Sequence, residues 1–279
     1  MRYIFTLITV LQFTIDSNAQ QISFTEEDRQ AYEQKIAQIQ SLDDPEMGKT
    51  VVAVGNSFSG TPYIAQSLEI NEEERLVINL RAFDCTTYVE NVLAFTLLLK
   101  KEEMDFNAFT SVLQNIRYRD GEISGYASRL NYFSEWLYNN EAKGLVKNIT
   151  SEIGGLPLHK EINFMSSHRD LYPMLEEKSS YDRIMATEVY LSQKTMSYLP
   201  REQVRKSESL IKDGDIIALA TSIDGLDVTH TGFAIRKSND RIYLLHASAS
   251  GKVEISKKPL SEYLKGIKSN TGIIVARPQ

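Results

Sequence analysis

The chain contains one cysteine, Cys85, and four histidines, at positions 159, 168, 230 and 246. A thiolate is a strong nucleophile, and an imidazole within hydrogen-bond reach can generate it, so cysteine with histidine suggests covalent hydrolysis of an acyl bond. Cys85 opens the segment Asp84–Lys100, in which Val89, Val92, Leu93 and Leu97 follow it on one apolar stripe of a helix. The cysteine thus stands at the N-terminal end of a core-facing stripe, where packing gives way to a cleft. Asp84 can cap this helix, with Thr87 and Glu90 forming a competing capping box. The helix dipole and free amides there favour a thiolate and could hold an oxyanion. The charge of Asp84 opposes the thiolate, so a cationic partner is required.

His230 opens the strand-like run HTGFAIR and His246 lies in RIYLLHA, with turn residues Lys237 to Asp240 between them. If the two runs form a hairpin, a three- or five-residue loop places the histidines opposite or diagonal on one face. A two-residue loop separates them onto opposite faces. Gly232 and Ala234 share the His230 face, leaving room for the Cys85 helix to lie across it, while Thr231, Phe233 and Ile235 occupy the other. His230 would then act as the base, with His246 orienting it. His159 and His168 fall in an irregular region and read as surface or core residues. One cysteine and dispersed histidines lack the ligand spacing of a zinc site, and no metal or cofactor is expected.

The surrounding elements fit this arrangement. Phe24–Leu42 reads as an amphipathic helix capped by Thr25. Val51–Phe58 is apolar and ends at the turn residues Ser59 to Pro62, and Leu76–Leu80 reads as a strand. Asp105–Tyr118 and Leu130–Ala142 read as helices. Leu145 to Ser179 is irregular, and Ile184–Leu199 reads as helical. Strands follow at Asp215–Ala220, His230–Arg236, Arg241–Ala247, Lys252–Ile255 and Gly272–Ala276, with a short helix at Leu260–Lys265. Helices first and antiparallel strands later predict an α+β fold.

With 279 residues, 42% hydrophobic, the chain can bury a sizeable core. A net charge of −6 argues against non-specific nucleic-acid binding, which needs clustered Lys and Arg. Met1-Arg2, an apolar run from Tyr3 to Ile15 and the small residues of Ser17-Asn18-Ala19 form a secretory signal pattern over residues 1–19. This run is too short to span a bilayer, so no membrane span is expected. An exported, periplasmic protein with a single catalytic domain over 20–279 follows, residues 20–58 forming a helical extension. Exported proteins usually pair their cysteines, which makes a lone Cys85 anomalous as an idle thiol.

FDCTTYVENVLA resembles the Asp-Cys-Ser/Thr helix start of the NlpC-type, papain-like peptidoglycan hydrolases, and HTGFAIR with YLLHAS resembles their histidine strand and the strand after it. GTPY upstream, YRDG and the Ser-Arg-Leu segment are similar to a branch described as N-acetylmuramoyl-L-alanine amidases. The similarity runs from about Gly60 to the C-terminus. It implies Cys85 as nucleophile, His230 as general base and His246 as orienting residue. It further implies Tyr63 beside the thiol, with Asp84, Ser128 and Arg129 as candidate substrate contacts. Two departures are Asn131, where the branch has histidine, and Thr87-Tyr88 in place of the usual glycine after the cysteine. The implied reaction is hydrolysis of the N-acetylmuramoyl-L-alanine amide of peptidoglycan fragments through a thioacyl intermediate. The alternatives are an endopeptidase cutting D-γ-glutamyl-diamino acid bonds and a non-catalytic wall-binding protein.

Overall fold

The computed structural model describes residues 22–42 and 44–279; the expected signal segment lies outside the described residues. The N-terminal part is helical. After β1 (Ile22–Ser23) comes α1 (Glu26–Ile39), with a capping box in which Thr25 and Asp28 satisfy each other's backbone amides. Then follow α2 (Met47–Asn56), β2 (Leu76–Val77), which pairs parallel with β1, α3 (Cys85–Lys101) and α4 (Phe106–Arg117). A middle segment holds α5 (Phe133–Ala142), β3 (Val146–Asn148), β4 (Leu156–Leu158), α6 (Phe164–Ser167) and α7 (Lys178–Ser192). The remainder is β5 (Met196–Pro200), α8 (Arg201–Ser207), β6 (Ile216–Thr221), β7 (Val228–Arg236), β8 (Ile242–Ser248), β9 (Lys252–Ile255), α9 (Leu260–Tyr263) and β10 (Asn270–Pro278).

Strands β3 to β10 form one antiparallel sheet in the order β4-β5-β10-β6-β7-β8-β9, with β3 pairing the C-terminal end of β10. Its strands alternate between two buried faces. Phe233, Leu245 and Ile274 join the larger core with α1 to α4, while Ala234, Leu244 and Ile273 face a smaller core closed by Val204 of α8 and Leu260 of α9. Fully burying each such aliphatic or aromatic side chain contributes about 1.5–3 kcal/mol.

Helix α3 is the axis of the larger core and is buried on nearly every side, beyond the single stripe expected, because Ala94, Phe95, Leu98 and Leu99 extend its apolar surface around the circumference. Phe95 packs on Phe109 of α4 and Tyr88 meets Phe233 of β7 edge-on, at ring separations of 4.7 and 5.8 Å. These contacts fix where the start of α3 lies against the sheet.

The apolar run from Val51 lies in α2, which ends at Asn56, with Val51 and Val54 fully buried in the core they share with α3. Two expectations change. The helix expected to run through Leu199 stops at Ser192, since Met196–Pro200 pairs as β5 with β4 and β10. The region 145–179 holds short strands and turns rather than being wholly irregular.

Candidate active site

Cys85 is the first residue of α3 and is half-buried. Asp84 caps the helix: its carboxylate accepts hydrogen bonds from the Thr87 amide at 2.7 Å and the Thr87 hydroxyl at 2.9 Å, while its own amide donates to Thr87 Oγ1. Ser67 donates to the second carboxylate oxygen. The capping box is therefore Asp84 with Thr87, and the competing Thr87–Glu90 pairing is excluded, because Glu90 is bonded to Arg117 instead. With the amides of Thr87 and Tyr88 bonded to Asp84, those of Cys85 and Thr86 have no partner among the described residues.

The segment before the helix straps Tyr63 beside the thiol. Gly60 and Tyr63 donate to the carbonyls of Val253 and Gly251, Ile64 donates to Phe83, and Phe83 donates back to Pro62. Tyr63 is half-buried; burial first, then the nearby Cys85 and Asp84, push its phenol pKa up.

On the sheet, Arg236 pairs with Ile242 and Phe233 with Leu245, so the hairpin loop spans five residues, 237–241, and the two histidines share a face. His230 Nε2 lies 2.6 Å from His246 Nδ1, with the rings edge to face. His246 is buried, and its partner across the hairpin is Gly232: a Cβ on that glycine would lie 2.8 Å from His246 Cβ and 2.8 Å from the Leu245 carbonyl. The smallness of Gly232 serves the histidine pair, not the helix. Helix α3 packs on the opposite face of β7 from the one expected, against Phe233, and Thr231 Oγ1 donates to the Cys85 carbonyl at 3.0 Å. The start of the helix is thereby bonded to the residue that follows His230.

Burial, and then the neighbouring His246, lower the pKa of His230; burial also lowers that of His246, partly offset by Glu254, its cross-strand partner. Burial and the Asp84 carboxylate push the Cys85 thiol up, and hydrogen bonding to Thr231 and Thr86 counters this only in part. Tyr263 meets His246 edge-on at 5.6 Å.

A cavity of about 180 Å³ opens at the helix start, with Asp84, Cys85, Thr86, Glu90, Arg129 and Asn131 in its wall. Arg129 is buried rather than on the surface: it bonds Glu69 at 2.7 Å and Glu74 at 2.8 Å and lies over the ring of Tyr126. Burial disfavours its charge, but Glu74 and Glu69 outweigh that and hold it protonated. Ser128 is engaged in its own turn, donating to the Gly125 carbonyl and accepting from the Ser124 amide. Asn131 donates to the Arg129 carbonyl. Behind the cavity, the buried pair Glu90–Arg117 joins α3 to α4 at 2.6 Å, and Arg117 also donates to the Val77 carbonyl.

Glu69, Glu74 and Arg117 were not singled out from the sequence, and Glu90 was read there only as a capping residue. The run Glu69–Arg75 reads as a solvated acidic stretch, yet the Glu74 side chain is buried, where Arg129 and the Tyr118 hydroxyl satisfy it. His159 and His168 are exposed, the latter stacked on Phe164.

Helices packed on an antiparallel sheet define a mixed α/β protein, and its family gives the class of activity. The chain belongs to the AmiA-like family, described as N-acetylmuramoyl-L-alanine amidase-like, whose pattern matches residues 53–273. It is similar to the crystal structure of an N-acetylmuramoyl-L-alanine amidase from Bacteroides uniformis, with 40% identity and a TM-score of 0.79 over 84% of this chain and 99% of that one. It is also similar to a Bacteroides fragilis protein named as a candidate xylanase, at 42% identity and a TM-score of 0.76 over 80% and 98% of the two chains. A Legionella pneumophila protein, 22% identical with a TM-score of 0.68 over 94% and 97%, shares the fold. No curated protein matches the chain.

Proposed function

We propose that the protein is an exported cysteine amidase of papain-like, NlpC-type architecture that hydrolyses the N-acetylmuramoyl-L-alanine bond of soluble peptidoglycan fragments. The observation that carries this reading is the hydrogen-bonded His230–His246 pair across β7 and β8, with Thr231, the residue after His230, donating to the Cys85 carbonyl. Cys85 is the nucleophile. His230 Nε2 faces His246, so the other ring nitrogen, Nδ1, is the one left to take the thiol proton. His246 fixes that tautomer.

The raised thiol and lowered imidazole pKa values favour the uncharged forms of both groups at neutral pH. Proton transfer then accompanies attack instead of preceding it. Sulfur adds to the lactyl carbonyl carbon as its proton passes to His230, and the amides of Cys85 and Thr86 receive the oxyanion. The carbon–nitrogen bond breaks, and the alanine nitrogen leaves with that proton. Water then cleaves the thioester, returning a proton through His230 to sulfur and releasing the muramoyl carboxylate.

Tyr63 and Arg129 shape the acyl side of the cleft. A glycosidase would need two free, opposed carboxyl groups. Here Glu69 is bonded to Arg129, Glu90 to Arg117, and Asp84 to Thr87 and Ser67. Residues 20–279 act as one catalytic unit, the signal over 1–19 carrying it to the periplasm.

Mass spectrometry of purified muropeptides digested by wild type and Cys85→Ala tests this. Release of the free stem peptide by wild type alone is expected. Release of an N-acetylmuramoyl-dipeptide would make the enzyme an endopeptidase, and binding without turnover by wild type would leave a wall-binding protein.

A further inference from the structure

We propose that the cavity beyond His230 is the subsite for the departing peptide, and that Lys257 and Lys258 there receive a carboxylate of that peptide. This rests on the amidase reading above and adds the direction in which the substrate lies. Two separate cavities hold the candidate catalytic residues. One has Cys85 in its wall; the other, of about 550 Å³, has His230 and His246, and the two share no lining residue.

In acyl transfer the carbonyl carbon must reach the nucleophile, while the departing nitrogen takes its proton from the base. The acyl half of the substrate therefore lies on the Cys85 side. The leaving amine, with the peptide attached to it, lies on the His230 side.

The wall of the histidine-side cavity suits such a peptide. Ser248 and Ser250 share a hydrogen bond, and Ser250 donates to Glu254 at 2.7 Å, so these groups are engaged with one another and Glu254 is held at the cross-strand position from His246. Lys257 and Lys258 are exposed on the rim and make no ion pair among the described residues. Two lysines outnumber the one glutamate, leaving positive charge for an incoming anion. Tyr263 and Ile267 add an apolar surface against which a methyl side chain could lie. A stem that begins with alanine and continues through γ-linked D-glutamate presents a methyl and then a free α-carboxylate, in that order from the scissile nitrogen.

The test uses Cys85→Ala protein and two probes, L-alanyl-D-glutamate and L-alanyl-D-isoglutamine, which differ only in that α-carboxylate. Calorimetry is expected to show the acid binding about tenfold more tightly than the amide, the worth of one charge-assisted hydrogen bond. Adding Lys257→Gln and Lys258→Gln is expected to bring the two within about twofold of each other. Equal binding of the probes before the lysines are changed, no binding of either, or a preference that survives the double substitution would each overturn the proposal. Failure of the amidase reading would look different: wild type would leave the N-acetylmuramoyl-L-alanine bond intact while the tenfold preference persisted.

Discussion

The two sides of the cleft are built by different physics. The side that holds Cys85 rests on buried charge: Glu90–Arg117 joins α3 to α4, and Arg129 is held between Glu69 and Glu74. The side that holds the histidines rests on backbone fit, with an apolar core beneath it and one missing Cβ, at Gly232, that lets His246 lie against β7. A buried charge pair tolerates loss of either partner badly, whereas a packed strand tolerates added volume badly. The two sides should therefore fail under opposite kinds of substitution.

The largest difference is expected from Arg117→Met. It leaves Glu90 buried and unpaired and should cost about 3–5 kcal/mol, read as a shift in the urea midpoint. Adding Glu90→Leu should recover most of that loss. A single substitution without effect, or a double variant no better than the single, would remove buried charge as the organising feature of this side.

Gly232→Ala probes the other side. The new Cβ would press on His246 Cβ and on the Leu245 backbone, and an overpacking cost of about 1–3 kcal/mol is expected. Turnover should fall further than stability implies, because His246 is the group displaced. Retained turnover at normal KM would show that the histidine contact does not depend on the glycine.

A smaller effect is expected at Asp84→Asn. The amide side chain can still accept the Thr87 amide, so stability should change by less than about 1 kcal/mol. Removal of a negative charge beside Cys85 should lower the thiol pKa, so iodoacetamide should alkylate the thiol faster at neutral pH than in wild type. An unchanged or slower rate would contradict the electrostatic account of Asp84.

The smallest effect is on the pH dependence of stability. Both histidines have folded-state pKa values below the ordinary 6.5, so the unfolded chain binds more protons as pH falls below that value. Their contribution is present above about pH 6.5 and is lost on acidification. Thermal midpoints between pH 7 and pH 4 should therefore fall more steeply in wild type than in His246→Gln, and identical slopes would refute the burial argument.

The positions of the candidate site residues were partly legible in the sequence. A lone cysteine at the polar end of an apolar stripe stood out because both helix period and capping pointed to the same residue. The hairpin parity narrowed the histidines to one face for any odd loop, and the five-residue loop satisfies it. What sequence could not decide was which face of β7 receives α3. Both faces carry residues that can be buried, and Gly232 admits either a helix or a cross-strand histidine; only long-range packing chooses. The charge network was hidden for a related reason. Glu74 looks like its solvated neighbours until Tyr118 and Arg129, 44 and 55 residues away, close over it.

The central claim is that Cys85 carries the acyl group between two half-reactions. Rapid acid quenching of wild-type protein with an N-acetylmuramoyl-peptide, followed by tryptic mass spectrometry, reads this on the peptide from Ala82 to Lys100. The account predicts a muramoyl adduct on Cys85 that decays as free stem peptide accumulates, with no turnover by Cys85→Ala. Stem peptide released at the same rate by Cys85→Ala, or an adduct that retains the alanine, would contradict it.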